Sequence, residues 1–486
     1  MTGLVEQLAS IVGALNVSAG AAIAPDDTHD EALTGHPATP LAVVRPACTA
    51  EVSRILAVAD ECRVPVVARG SGTGLSGASR PVPDGIVVAF DRMNRILEID
   101  TANHAAVVEP GVTLTQLDEA LQPSGLVYAV YPGEMGGSLG GNVATNAGGM
   151  RAVRYGVTRH NVLGLELVLP GGQVLRSGGK YVKSSSGYDL TQLVIGSEGT
   201  LALVTGVTVK LVPRMAHTAT LLAPFDTLEA VAGAVGPVLA SGATPLILEY
   251  LDALAMEGIT RAAGLDLGVP ATVRSGATAY LVLVLEGSDP GRVDADAEAA
   301  ASLVATLGAL DVYILPPAAG GALVTARERA FFVSRAAGAD DIVDTVVPRG
   351  ALPAYLARTA TLAAEHGALV SGCGHVGDGN VHLSVFLADP HRRRAFLRAV
   401  FEAARDAGGA VSGEHGIGVD KREYFLDLED PAKVALMRRI KAAFDPHDIL
   451  GPGRIFSGGA GSGGAGTSEG ASRGDGTHSG PEAVTR

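Results

Sequence analysis

The sequence predicts an α+β protein of two large units, on three observations. Short apolar strands alternate with an amphipathic helix near the start, glycine-rich loops punctuate the first half, and long Ala- and Leu-rich stretches interleaved with strands fill the second. At 486 residues the chain is too long for one hydrophobic core, since a domain holds roughly 150 residues.

Residues 1–29 read as an N-terminal helical segment. Residues 1–18 lack Lys and Arg and include Glu6, so no secretory or transit peptide is expected. A strand follows at 41–44, then a helix with Val52, Ile55, Leu56 and Ala59 on one face, then a strand at 64–67; Thr49 is placed to cap the helix. Short β-branched runs at 85–90, 104–109, 161–169, 192–195 and 201–211 predict further strands and complete a domain over 30–213. From 214 to 456 the pattern predicts helices at 228–239, 294–307, 321–337 and 352–366, with strands at 280–285 and 380–386, as for helices packed on an antiparallel sheet. Residues 457–486 are mainly Gly, Ser, Ala and Thr; ordering them would cost entropy without burying apolar surface, so disorder is expected.

A formal charge of −14 and a pI near 5.3 disfavour nucleic acid and anionic membranes as partners. Three cysteines, Cys48, Cys62 and Cys373, form no C-x-x-C pair, which argues against an iron–sulfur cluster or disulfide framework and suits a reduced, cytoplasmic protein. No apolar run approaches the ~18 residues of a transmembrane helix, so any membrane contact would be peripheral, at the inner face.

After the strand ending at Val67 comes Arg69, Gly70, Ser71, Gly72, Thr73, Gly74 and Leu75. Repeated glycines let backbone N–H groups approach a phosphate closely. A Rossmann fingerprint would continue into a helix, but Pro81 and Pro83 stand where that helix should run. The only Gly-Lys pair, Gly179-Lys180, lacks the Walker A spacing. A second stretch from Pro132 and Gly133 through Gly140, Gly141, Ala144, Thr145 and Gly148 is too glycine-rich for a helix interior. Either loop alone reads equally well as tight turns; the pair suits an extended ligand carrying a pyrophosphate.

With Gly187-Tyr188-Asp189-Leu190 and Gly196-Ser197-Glu198-Gly199-Thr200-Leu201, these loops give a chain-order set of motifs. The chain thereby resembles the FAD-linked oxidases of the vanillyl-alcohol oxidase type, in the branch of glycolate oxidase's catalytic subunit, D-lactate dehydrogenase and D-2-hydroxyglutarate dehydrogenase. The resemblance spans about 30–456. It implies a two-part FAD-binding domain of the PCMH type followed by a C-terminal cap domain with antiparallel sheet and helices. It also implies that Arg69–Leu75 wraps the FAD pyrophosphate, that Gly140, Gly141, Ala144, Thr145 and Gly148 line the flavin and ribityl side, and that Glu198, Gly199 and Val204 face the nucleotide end. The first loop holds no histidine, so FAD bound without a covalent link is expected. Gly451 stands where relatives usually carry asparagine, a departure that implies one cofactor-side hydrogen bond is either missing or supplied by water.

The second half carries His375 and His382 in one motif and Glu414-His415 in another. Two imidazoles and a carboxylate suit zinc with a fourth position open, and alternation puts His382 and Ser384 opposite Val381, Leu383 and Val385. Histidines satisfied in turns are the rival reading from spacing alone. The resemblance implies a divalent metal, zinc by ligand type, held by His375, His382 and Glu414, with His415 as base and Arg327 gripping a substrate carboxylate. A metal and an imidazole together lower the barrier to hydroxyl deprotonation, with hydride leaving for flavin N5. Relatives specialised for 2-hydroxyglutarate carry Thr, Lys and Asn where this chain has Phe331, Ile342 and Ser384, so a small D-2-hydroxy acid such as glycolate or D-lactate is the expected substrate. Cys373 is given no role. The electron acceptor is left among quinone, cytochrome, electron-transfer flavoprotein and a partner iron–sulfur subunit, and a homodimer is open to the chain. Rival functions are an oxidase using oxygen, an alkylglycerone-phosphate-synthase-like transferase and a non-catalytic subunit.

Overall fold

The computed structural model describes residues 2–456, so the expectation for 457–486 lies outside the described residues. The chain opens on the helix Thr2–Val12, whose Leu8 and Val12 are buried against the first sheet. That sheet runs Val17–Ala19, Ala42–Val44, Ile86–Ala89, Val66–Arg69; its last three strands are parallel, and the helix Thr49–Cys62 makes the crossover between the second and the fourth. Val52, Ile55, Leu56 and Ala59 are the buried face of that helix, as the spacing requires. Its N-cap is Cys48 rather than Thr49. Thr49 already lies in the helix and its hydroxyl donates to Glu166 Oε1 at 2.6 Å, so it ties the helix to the second sheet instead of capping it.

The second sheet is antiparallel, in the order Ile96–Asp100, Ala105–Val108, Leu203–Lys210, Val162–Val168, Val174–Gly178. The strand expected at 192–195 is instead the short helix Leu190–Val194, because Asp189 caps it by accepting from Gln192 N at 3.0 Å. The second glycine-rich stretch is also not all loop: Leu139–Thr145 is helical, with Ser138 as N-cap. Glycine serves close approach there, since a Cβ on Gly140 would lie 2.6 Å from Pro110 Cβ. The expected glycine penalty is overridden by tertiary packing.

The C-terminal unit is a seven-stranded antiparallel sheet in the order Tyr313–Leu315, His217–Phe225, Ala279–Gly287, Ile247–Asp252, Leu369–Gly374, Asn380–Phe386, Asp341–Val346. One face buries Leu281, Leu283, Val343, Val381, Leu383 and Val385 against the helices Leu228–Ala240, Pro290–Thr306, Leu352–His366 and Pro390–Asp406. The helix expected at 321–337 is two, Pro317–Glu328 and Ala330–Ala336, joined at Arg329. After the last helix the chain returns to the first sheet, where Gly451 N donates to Val66 O. The backbone N–H of Gly451 thereby ties the segment after the last helix to the strand that leads into the first glycine loop.

Candidate active site

Between the loops of the two N-terminal sheets lies an elongated cleft. Gly70, Ser71, Gly72, Thr73, Gly74 and Leu75 form one wall, Pro132, Gly140, Gly141, Ala144 and Thr145 another, and Glu198, Gly199 and Val204 a third. Arg69 is not in the wall. Its Nη2 donates to Asp26 O at 2.5 Å and its Nε lies 3.8 Å from Asp27, so it braces the loop from behind. Gly133 lines the neighbouring cavity, and Gly148 lies behind Glu414. Ser79, Asn142 and Ser197 line the cleft with Oγ, Nδ2 and Oγ buried and unpartnered within the protein. Buried polar groups of this kind need a polar partner, which the phosphates and polyol of a flavin nucleotide would supply. The residues therefore fit FAD.

Glu414 and His415 close one end of this cleft and also line a second cavity with Arg327, Phe331, Ile342, Cys373, His375, His382 and Ser384. The β-pleat explains the convergence. His382 pairs with Cys373 on one neighbouring strand and Asp344 on the other, and directly opposed residues share a face. His375 follows the strand Leu369–Gly374 at the start of the tight turn that leads to Asn380–Phe386.

His375 Nε2 and His382 Nε2 each lie 3.3 Å from Glu414 Oε1, and one ligand atom from each residue falls within 4.8 Å of the others. A tetrahedral ion with arms of about 2.0 Å separates its ligand atoms by roughly 3.3 Å, so the spacing fits a divalent metal such as zinc. Gly148 makes room for this: a Cβ there would lie 2.7 Å from Glu414 Oε2.

Two buried acids missed by motif reading hold the set in place. Glu249 Oε1 pairs with His375 Nδ1 at 2.5 Å, and its Oε2 lies 2.8 Å from Arg327 Nη2, close in distance but not aligned as a hydrogen bond. Arg327 Nε is buried without a partner, and the guanidinium borders the second cavity. Asp344, fully buried, accepts from Ser412 Oγ and from the backbone N–H of Gly413, Glu414 and His415 at 2.8–3.1 Å. It also accepts from Asn380 Nδ2 at 2.8 Å and stands 3.5 Å from Lys421 Nζ, 3.7 Å from His382 Nδ1 and 3.9 Å from His415 Nδ1. The one visible signal was an acid in the run Asp341-Ile342-Val343-Asp344-Thr345-Val346, where alternation puts Ile342 and Asp344 on one face.

Electrostatics follow from burial. Burial pushes the Asp344 carboxyl up, but His415, Lys421 and His382 more than offset it and hold the group well below the usual range. Burial drives His415 the other way, down to about 4, against the pull of Asp344, so its imidazole is neutral near pH 7. Cys373, across the ladder from His382, has its thiol pushed up by burial, which keeps it unreactive. Glu198 is pushed up by burial although it accepts from Ile417 N and Gly418 N, both at 2.7 Å. It thus joins the cleft wall to the loop that carries Glu414 and His415.

Comparison with known proteins identifies both units of the chain. Residues 40–178 match the family described as FAD binding domain, and 214–455 match FAD linked oxidases, C-terminal domain. The chain is 52% identical over 456 residues to an uncharacterized FAD-linked oxidoreductase of Mycobacterium tuberculosis, covering 94% of this chain and 99% of the relative. It is 38% identical to D-lactate dehydrogenase of Archaeoglobus fulgidus, with 85% and 90% covered, and 38% identical to glycolate oxidase subunit GlcD of Bacillus subtilis, with 86% and 89% covered. The solved structure of p-cresol methylhydroxylase with substrate bound shares the fold at TM-score 0.76 and 18% identity, over 93% of this chain and 96% of that one. No helix among the described residues is long and apolar enough to cross a membrane. The chain belongs to the FAD-linked oxidases, as an FAD-linked oxidoreductase in the branch of glycolate oxidase subunit GlcD, D-lactate dehydrogenase and D-2-hydroxyglutarate dehydrogenase.

Proposed function

We propose that this protein is a dehydrogenase that oxidises a small D-2-hydroxy acid of the glycolate or D-lactate type to its 2-oxo acid. The observation that carries the reading is the junction itself: a set of three metal-ligand atoms spaced for a divalent ion, placed where the FAD cleft meets a cavity walled by a buried guanidinium. Three buried acids, Glu249, Asp344 and Glu414, surround the set, and the positive charge that holds Glu249 and Glu414 ionised is chiefly that of the His375 imidazolium, whose place a divalent cation would take. FAD, held in the cleft without a covalent link, would supply the hydride acceptor, and His375, His382 and Glu414 would hold a divalent ion that would supply polarisation of the substrate hydroxyl.

The protein's own groups do the rest. Arg327 offers its guanidinium to the substrate carboxylate and is held in the cavity by Glu249. Because Nδ1 of His415 faces Asp344, its Nε2 is the atom left to take the hydroxyl proton. The Asp344 charge then offsets the imidazolium so formed. Electrons pass on to a quinone, a cytochrome, an electron-transfer flavoprotein or a partner iron–sulfur subunit, and the protein works in the cytoplasm, at the inner membrane face where the acceptor is a quinone.

Phe331 and Ile342 line the substrate cavity and offer no partner to a distal carboxylate, which would be buried unpaired. Anaerobic stopped-flow bleaching of the flavin across D- and L-2-hydroxy acids tests the reading. Glycolate, D-lactate and larger apolar D-acids should show higher kcat/KM than D-2-hydroxyglutarate; the reverse order would overturn the substrate assignment.

A further inference from the structure

A pocket separate from both the FAD cleft and the substrate cavity is lined from the helix Leu114–Leu121, from residues 128–135 and from two arginines, Arg151 and Arg214. None of its lining residues borders the cleft or the substrate cavity. Gly149 brings Arg151 to it. With φ at +116° and no Cβ to strike Tyr131 O, the backbone passes directly against Tyr131, and two residues on the Arg151 guanidinium lies over that ring, 4.2 Å from its centroid.

The stacking attracts the charge of Arg151 without pairing it. Among the described residues Arg151 makes no ion pair and no side-chain hydrogen bond, and its Nε is buried without a partner. A half-buried guanidinium with five N–H donors and no acceptor is unusual in a folded protein. Arg214, the pocket's other cation, is committed: its Nη2 donates to Asp118 Oδ1 at 2.6 Å. Glu328, in the substrate cavity, feels the charges of Arg151 and Arg327 but pairs with neither. Tyr128 and Tyr131 stay uncharged, because burial pushes both hydroxyls up. The lining therefore carries two positive charges against the one negative charge of Asp118.

We propose that this pocket binds a small, singly charged carboxylate on the Arg151 guanidinium, at a place distinct from the one proposed for the substrate carboxylate at Arg327. Two N–H donors of a guanidinium match the two oxygens of a carboxylate in one plane. One negative charge brings the lining into balance. A second, as on phosphate at neutral pH, would face Asp118 with no cation left for it, and like charges repel more strongly beside low-dielectric protein than in bulk water. Leu114, Val130 and Met135 complete the wall and add no further donor. The inference goes beyond the 2-hydroxy-acid chemistry and does not rest on it, because the site is defined by charge and is read by binding alone.

The test is fluorine NMR of trifluoroacetate titrated with the FAD-loaded protein, since this probe stays singly charged at neutral pH and has no hydroxyl to oxidise. We expect two classes of bound probe, one lost in Arg327→Gln and the other in Arg151→Gln, with the flavin spectrum unchanged in the latter. Arg151→Gln should weaken its class about 10- to 100-fold, the loss expected for a charge-assisted, two-pronged pair. Arg151→Lys keeps the charge over Tyr131 and gives up the fork; it should weaken the same class severalfold and stands in should the amide variant fail to fold. Acetate should displace the probe from this class, and phosphate at equal concentration should not. If the second class is absent, or survives in both Arg151 variants, the pocket holds no carboxylate and the inference falls, with the proposed function untouched. If phosphate displaces the probe as readily as acetate does, the assignment to a singly charged carboxylate falls. If the Arg151 class is found and the Arg327 class is not, this site stands and the substrate grip proposed above fails.

Discussion

At the scale of single residues, the chemistry turns on a buried imidazole and a buried acid that oppose each other. Burial disfavours charge on His415, while Asp344, 3.9 Å from its Nδ1, favours it. His415→Asn keeps a polar side chain but removes the proton acceptor, so flavin reduction by D-lactate should slow by about 10²- to 10⁴-fold with metal and FAD content unchanged. Loss of metal in that variant would make His415 a ligand or a ligand's support instead. Asp344→Asn puts an amide N–H among three backbone N–H donors and removes the charge beside His382 and His415. It should retain FAD yet bind metal about 10- to 100-fold more weakly, read by metal analysis after dialysis against graded chelator. Unchanged metal affinity would confine Asp344 to ordering the loop. His375, His382, Glu414 and His415 were legible because glycine-flanked motifs mark them. Glu249 and Asp344 were not, because a single acid in an apolar strand looks like a misplaced surface residue until the fold puts His375 and Arg327 against the one and His382 and His415 against the other.

At the scale of elements, the site depends on how closely backbones approach. The loop Ser412–Gly418 is pinned from both units, by Asp344 on the cap sheet and by Glu198 on the cleft wall. Gly148 lets the second glycine-rich segment pass directly behind Glu414. Gly148→Ala should push the Glu414 carboxylate off its position, lowering metal content while the yellow FAD spectrum persists; a variant with full metal content would show that the segment yields to the added methyl. Pattern reading found the strands and long helices because burial imposes periods of 2 and 3.6. It misassigned 192–195 because the apolar run outweighed the Asp189 cap, and it missed the helix Leu139–Thr145 because propensity counts glycines while Pro110 and Ser138 decide their use. The cap of the helix Thr49–Cys62 was misplaced by one residue, since nothing local reveals that the Thr49 hydroxyl is claimed by Glu166.

At the scale of the whole molecule, two units share apolar contacts, with Met150 packed in the C-terminal unit's core and Ile449 and Leu450 in that of the first sheet, and the functional groups are divided between them. The N-terminal unit supplies the glycine-lined cleft, and the C-terminal unit supplies His382 from its sheet, His375 from the turn after the strand Leu369–Gly374 and Arg327 from the helix Pro317–Glu328. Binding of FAD and binding of metal are therefore separable, and the central claim is that turnover needs both. The most direct test is anaerobic stopped-flow reduction of the flavin by D-lactate, comparing holoenzyme, chelator-stripped enzyme and stripped enzyme resupplied with zinc. The account predicts rapid bleaching in the first, a loss of at least a hundredfold in the second with FAD absorbance intact, and recovery in the third. Undiminished bleaching in protein shown to be free of metal would contradict it.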